Sequence, residues 1–308
     1  MEGTMPAHIV ILGSLNMDLV IQAPRHPQPG ETLTGGPFST IPGGKGANQA
    51  VAAARMGGRV SMIGSVGADP FGDQLVTNLR VAGVNASRVS RSDAATGVAL
   101  ITVSASGENT IVISPGANGT LSPEVVSANE DIIAGADALL LQLEVPLPAV
   151  YKATEIARRH GVPVILNPAP AQPLPAGLLR DVTYLVPNEH EATLLTGDPV
   201  ETQEDAIWAA AHLRAQGVAQ VVLTLGSRGA LVSLPEGAMS VPSFRVVAAD
   251  STAAGDAFLG AFAVALTEGQ SPLEAVRWGC AAGALACTVL GAQPSLPTRE
   301  AVERLLAV

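Results

Sequence analysis

Short apolar runs alternate along this chain with longer stretches of helical composition, and that alternation constrains the fold more than any other feature. The apolar runs are HIVILG, RVSMIG, ALLLQL, VPVILN, VTYLVP and QVVLTLG; between most of them lie ANQAVAAARM, FGDQLVTNLRVAG, LPAVYKATEIARRHG and EDAIWAAAHLRAQG. Strands that are apolar throughout suit a sheet covered on both sides, so the pattern predicts an α/β fold with a central, mostly parallel sheet flanked by helices on both faces. Strand follows strand without a helix at two places, DLVIQAP to ETLTGGPFSTIPG and TGVALITVSASGENTIVIS. Both read as hairpins, and together they predict a small β-sheet lid over the ligand crevice, formed by about 16–42 and about 95–115 and inserted in a domain that spans 1–308.

Composition removes several classes of function. Hydrophobic residues make up 47% of the 308 and charged residues 14%, which fits a compact folded chain able to bury a full core. The formal net charge of -10 is not offset by any Lys/Arg run, which speaks against nucleic acid and anionic membrane surfaces as partners. The first apolar stretch, HIVILGSL, is too short for a signal peptide's apolar region or a membrane span, so a soluble, cytoplasmic protein is expected. Cys280 and Cys287 stand seven apart on one expected helix, beyond disulfide reach, and are expected to be reduced.

In an open α/β sheet, ligands bind outside the carboxyl ends of the strands. The residues there are Asn16 and Asp18, Asp69, Glu144, Asn167, Asn188, and Thr224 with Gly226. Each singly suits a turn; as a set they predict a polar crevice. STAAGDAFLGAF adds the chemistry. Ala253, Ala254 and Gly255 leave their amides open to an anion at a helix start, and Asp256 falls in that first turn, where the helix dipole favours a carboxylate. Amides for an oxyanion beside a carboxylate base are half of a phosphoryl-transfer site, although an acid in a first helical turn is in isolation more simply a cap.

Three further motifs bear on the choice. GGKGANQA is a glycine-rich turn entering a helix, with Lys45 placed to meet a phosphate or a sugar oxygen; alone it also serves as a tight strand-to-helix connection. Neither a Walker loop nor a G-x-G-x-x-G dinucleotide fingerprint is present, which removes support from both common nucleotide folds and from a dehydrogenase. In PNEHEATLLTG, Asn188 and Glu191 share one face of a helix start, as a magnesium-ordering acid or as a capping box. TLGSRGA is a turn after a strand that reads as a nucleotide loop or as a plain hairpin connection.

Taken in order, GSLNMD, PGGKGANQAVAAARMG, LQLE, NPAPA, PNEHEA, TLGSRG, DSTAAGDAFLGAF and GAQPS resemble the ribokinase-type carbohydrate kinase family over almost the whole chain. Within it, the Asn16-x-Asp18, GGKGAN and GAQPS details look most like the ribose-phosphorylating members. The resemblance implies ATP-dependent phosphorylation of D-ribose at its 5-hydroxyl, in D-ribose catabolism, with sister activities on deoxyribose, fructose or a nucleoside, or a catalytically silent sugar sensor, as alternatives. It implies Asp256 as the base, with the Ala253, Ala254 and Gly255 amides as anion hole. Asn16, Asp18, Gly44, Lys45, Asn48 and Glu144 would hold the sugar. ATP would meet Asn188, Thr224, Gly226, Ser227, Arg228, Gly229, Gly255 and Cys280, the last standing where relatives often carry His or Asn near adenine. Glu191 would help to place Mg2+. Asp250, Thr252, Ala286, Val289, Gly291 and Ser295 would surround K+, although Val289 and Leu290 replace basic residues common just before GAQPS. The resemblance also implies a homodimer paired through the β lids.

Overall fold

The computed structural model describes residues 6–307, and its strands form two sheets. The larger holds nine strands in the order β13-β12-β11-β10-β9-β8-β1-β4-β5. In chain order these are β1 (His8–Leu12), β4 (Arg59–Gly67), β5 (Asn85–Ser92), β8 (Ala138–Leu141), β9 (Val164–Leu166), β10 (Tyr184–Leu185), β11 (Gln220–Thr224), β12 (Ala230–Leu234) and β13 (Gly237–Val241). Strands β5 to β11 of this sheet pair in parallel, and β11-β12-β13 close one edge as antiparallel hairpins. The smaller sheet runs β3-β2-β6-β7, made of β2 (Asn16–Ala23), β3 (Phe38–Gly43), β6 (Gly97–Ser104) and β7 (Asn109–Ser114). The two hairpins expected from sequence are thus joined into one sheet by a parallel pairing of β2 with β6.

The helices are α1 (Lys45–Arg55), α2 (Pro70–Val81), α3 (Pro123–Ser127), α4 (Glu130–Ala134), α5 (Leu147–His160), α6 (Ala176–Leu179), α7 (Glu189–Thr196), α8 (Gln203–Ala215), α9 (Ala254–Thr267), α10 (Pro272–Ala286), α11 (Ala292–Ser295) and α12 (Arg299–Leu306). The apolar runs are explained by two cores, one on each face of the large sheet. Ile9 and Ile11 of β1 point into the core beneath α1, α9 and α10, whereas Val10 and Leu12 point into the core beneath α5 and α8. A strand buried on both sides has no polar face to show.

Strand β1 is the switch point of the large sheet. The chain runs outward from it to β4 and β5 on one side, and β8 and its successors lie on the other. A crevice opens at such a point beyond the strand ends, and there the loop after β1 meets the loop after β8: Ser14 donates its hydroxyl to Glu144 at 2.5 Å.

Helix α9 is held hard against α1. A Cβ at Gly260 would stand 2.6 Å from the Ala53 nitrogen, so the helix backbones meet at a distance that only a missing side chain permits. Residues more than two hundred positions apart in sequence therefore share one site, since Asn48 and Gln49 of α1 both bond to Asp256 of α9.

Candidate active site

Glycines decide how α1 begins. Gly44 adopts φ 89 at the N-cap, and a Cβ there would lie 2.7 Å from the Asn16 nitrogen; one at Gly46 would lie 2.6 Å from the Ser14 nitrogen. The helix start can therefore sit directly on the β1–β2 connection. Its orphan amides are met there: Lys45 N–H donates to Glu144 at 3.1 Å, Gly46 N–H to the Ser14 hydroxyl at 3.3 Å, and Ala47 N–H to the Ser14 carbonyl at 2.9 Å. The reading of GGKGANQA as a tight connection holds, and that connection sets Asn48 and Lys45 beside Asp256. Glu144 is more than a group aimed at a ligand, since one of its oxygens caps α1, where the helix dipole favours it.

Asp256 lies at the centre, 7% exposed. Asn48 donates to one of its oxygens at 3.0 Å and Gln49 to the other at 2.9 Å. Burial pushes its carboxyl up from the ordinary value, opposed by the Lys45 ammonium and by the Gln49 and Asn48 hydrogen bonds. The same burial works against the charge on Lys45, but Asp256, Glu144 and Glu191 outweigh it and hold that ammonium above its ordinary pKa. Asp18, partly buried on β2, is pushed up to about 7, by burial first and then by the charges of Glu144 and Asp256. Four carboxyl groups, Asp18, Glu144, Glu191 and Asp256, crowd one ammonium, an arrangement that hydroxyl donors relieve.

Asn16 is held in place by a residue that motif reading missed. Asn118, 1% exposed, donates to the Asn16 Oδ1 at 2.8 Å and to the Leu15 carbonyl at 3.0 Å, and accepts from the Leu15 N–H at 2.9 Å. Ser14, Gln49 and Gln142 were also missed, being ordinary polar residues until their partners across the sheet are known. One member of the strand-end set does not join the crevice. Asp69 caps α2 through Gly72 N–H at 2.9 Å and binds the Thr96 amide and hydroxyl, so there the turn reading is the correct one.

The opening turn of α9 has an unusual backbone. Ala253, its N-cap, takes φ 60 and is the only residue other than glycine with positive φ among the described residues. An alanine held in that region costs about 1–2 kcal/mol. In the expected anion hole the Ala254 N–H is already engaged, donating to the Ser251 carbonyl at 3.2 Å, whereas the Gly255 and Asp256 amides meet no backbone carbonyl. Two of the three expected amides, those of Ala253 and Gly255, thus meet no backbone carbonyl, and the Asp256 amide joins them.

Glu191, also buried, links this centre to the second half of the crevice, because Lys45 and Asp256 both act on its charge. It forms a capping box with Asn188: its carboxylate accepts from the Asn188 N–H at 2.9 Å and side-chain amide at 3.0 Å, and its own N–H donates to the Asn188 Oδ1 at 2.8 Å. Asn188 in turn bridges to Thr224, whose N–H donates to the Pro187 carbonyl at 2.9 Å. Gly226–Arg228 form a single 3-10 turn joining β11 to β12, so TLGSRGA is a hairpin connection lying at the crevice end of the sheet. Arg228 pairs with Glu189 and donates to the Glu201 carbonyl at 2.9 Å. Cys280 belongs to the apolar core, with its thiol pushed up to about 12 by burial.

Beside the α9 turn, Ala249 and Asp250 N–H donate to the Cys287 carbonyl at 2.7 and 3.1 Å, drawing the 249–252 loop onto the 286–291 turn. Asp250 accepts from the Thr252 N–H at 2.9 Å, the Thr252 hydroxyl at 2.7 Å and the Gly291 N–H at 2.9 Å. Burial alone would raise its pKa, but these bonds outweigh it and keep the carboxyl below its ordinary value. Asp250, Thr252 and Gly291 are therefore brought together, with Ala286 and Val289 in the adjoining turn; the Ser295 hydroxyl donates to Ala292 at 2.7 Å.

A buried carboxylate within the field of a lysine ammonium, at a helix start with amides that meet no backbone carbonyl, suits the switch point of an α/β phosphotransferase. The sequence profile of the pfkB family carbohydrate kinases matches residues 6–299, and the chain belongs to that family. It is 45% identical to the ribokinase of Haemophilus influenzae over 95% of this chain and 96% of that protein. It is 38% identical to a deoxyribokinase of Salmonella typhi over 97% and 99% of the two chains. A solved structure of Arabidopsis thaliana ribokinase complexed with ribose and ATP superposes with a TM-score of 0.93, at 35% identity, covering 99% of this chain and all of that one.

Proposed function

We propose that this carbohydrate kinase transfers the γ-phosphoryl group of ATP to the 5-hydroxyl of D-ribose, giving ribose 5-phosphate and ADP. The observation that carries the reading is Asp256, a buried carboxylate held by Asn48 and Gln49 at the N-terminus of α9. With Asn16, Asp18, Gly44, Lys45, Asn48 and Glu144 around the sugar, Asp256 takes the proton of the primary hydroxyl as its oxygen attacks phosphorus. The Gly255 and Asp256 amides and the Lys45 ammonium stabilise the charge on the transferred group. ATP lies along Asn188, Thr224 and the Gly226–Gly229 turn, through backbone and hydroxyl groups.

Mg2+ fits this site as an ion carried by substrate phosphates. Among the described residues no three His, Cys, Asp or Glu stand together as a metal cluster, and Glu191 spends its oxygens on Asn188 and Asn167, from which it can order the water around an ion without ligating it. K+ fits beside Asp250, whose anionic carboxylate and neighbouring carbonyls abut the strained Ala253 turn; the ion would supply positive potential next to the anion site. The small sheet is read as a lid, and its exposed Ile21, Phe38, Leu100 and Val112, which share one side by strand register, form an apolar face that a second copy of the chain would cover. Sedimentation is expected to give a dimer; a monomer at micromolar concentration would remove that part of the reading. No helix among the described residues is long and apolar enough to cross a membrane, and a cytoplasmic location is part of the reading.

The similarity to a deoxyribokinase keeps a second sugar in view, because Asn16 and Asp18 do not by themselves distinguish a 2-hydroxyl from its absence. ADP release over pentoses, hexoses and nucleosides, each at fixed ionic strength with and without potassium, tests these points together. Ribose is expected to give the highest kcat/KM, and potassium to raise it. Preference for deoxyribose would reassign the sugar, and binding without ADP release would indicate a sensor. Full activity in a large-cation buffer would refute the cation site alone, since constant ionic strength excludes ordinary screening.

A further inference from the structure

We propose that Gln49 is a positioning residue for the phosphoryl-transfer base: Gln142 fixes the direction of the Gln49 amide, and Gln49 thereby holds one carboxylate oxygen of Asp256 while Asn48 holds the other. This rests on the reading of Asp256 as base. Gln49 follows the sugar-side Asn48 in α1 and is completely buried. A buried primary amide can present either its oxygen or its nitrogen, and only the nitrogen suits a carboxylate. The choice is made from behind, where Gln142 Nε2 donates to Gln49 Oε1 and leaves Gln49 Nε2 facing Asp256 at 2.9 Å.

The independent sign that orientation matters is Gln142 itself. Its Oε1 is buried with no hydrogen-bond partner, a state ordinarily avoided in a folded interior. Turning the Gln142 amide round would bring its carbonyl against that of Gln49, and turning both would set a carbonyl against the Asp256 carboxylate. The orphaned oxygen is therefore retained at the far end of a chain whose near end must donate. A side branch runs the other way: Gln49 Nε2 lies 3.4 Å from the Asn167 Oδ1, and Asn167 reaches Glu191 at 3.5 Å. Gln49 thus holds the base and, through Asn167, is linked to the acid at the nucleotide side.

With both oxygens restrained by neutral donors, Asp256 keeps a fixed lone-pair direction towards the sugar hydroxyl and remains ionised in a buried place. The charges that face it are Lys45 from α1, Glu144 from the loop after β8, Asp18 from β2 and Glu191 from α7. Gln49→Met removes one donor and leaves all of these in place, so a change in the titration of the base reports the amide.

The test is the pH profile of kcat/KM for ribose, with kcat, KM and calorimetric ribose binding, in the wild type, Gln49→Met and Gln142→Met. Gln49→Met is expected to lower kcat by roughly 10- to 100-fold, to change the ribose dissociation constant by less than about threefold, and to move the acid limb upward by about half a pH unit or more. Gln142→Met, which does not touch Asp256, should move both quantities in the same direction by less. An unmoved acid limb in both variants overturns the proposal, as does a loss of ribose binding in proportion to kcat. If Gln49→Met fails to fold, the limb in Gln142→Met decides alone. A wild-type chain that phosphorylates no sugar marks the separate failure of the kinase reading.

Discussion

Asp256→Asn is expected to lower kcat by at least about 10²-fold while ribose binding changes little, because general-base catalysis typically contributes about 10²–10⁴. The carboxylate is the only acceptor pair facing both Asn48 and Gln49, and the asparagine can neither take the hydroxyl proton nor accept from both amides. Rapid-quench measurement of a single turnover isolates this step from product release. A variant keeping more than a third of wild-type kcat would remove Asp256 from the mechanism. The pH dependence has a definite sign. Burial holds the Asp256 carboxyl above its ordinary pKa, and the base must be ionised to act, so activity should fall on acidification at a pH above the ordinary carboxylate range.

Asp18→Asn should separate stability from binding. In the folded chain the carboxyl is pushed up to about 7 from an ordinary 3.8, so the folded state holds its proton more tightly than the unfolded state. The corresponding stability is fully present below pH 3.8 and is lost as the pH rises through about 7. Above that, the wild type carries an ionised carboxylate beside Glu144 and Asp256, and the neutral variant does not. Asp18→Asn is therefore expected to be more stable than wild type by about 1–3 kcal/mol at pH 8, with the gain shrinking towards pH 4. Ribose affinity should meanwhile fall by about 10²-fold or more, through loss of a charged acceptor for a sugar hydroxyl, and ATP affinity should hardly change. Thermal melts across pH and calorimetry with each ligand decide the matter. Equal loss of both ligands, or a variant less stable at pH 8, would contradict this account.

Much of the architecture was legible because it is written in local pattern. Continuous apolar runs gave the parallel strands, and their carboxyl ends gave the crevice. The Asn188–Glu191 spacing gave a helix start that proved to be a capping box and a corner of the site together. What stayed hidden depends on partners far away in the chain. Gln49 and Gln142 look like any buried glutamines until the sheet brings them together, and Asn118 sits in a short 3-10 turn, GANGT, that has no motif. Ala253 shows the limit from the other side: a left-handed residue is normally foreseen from glycine or asparagine, and an alanine gives no such warning.

The two sheets divide the labour of the site in a way that bears on how its descendants can change. Asn16 and Asp18 stand on the small sheet, whereas Lys45, Asn48 and Asp256 are fixed by the seam between α1 and α9 and by the floor of the large one. Under the proposed function, two of the sugar contacts are thus carried on a different piece from the base. Evolution or a designer can remodel β2, β3 and β6 to admit a different hydroxyl pattern without moving the base, while a single added methyl at Gly260 would disturb every substrate alike.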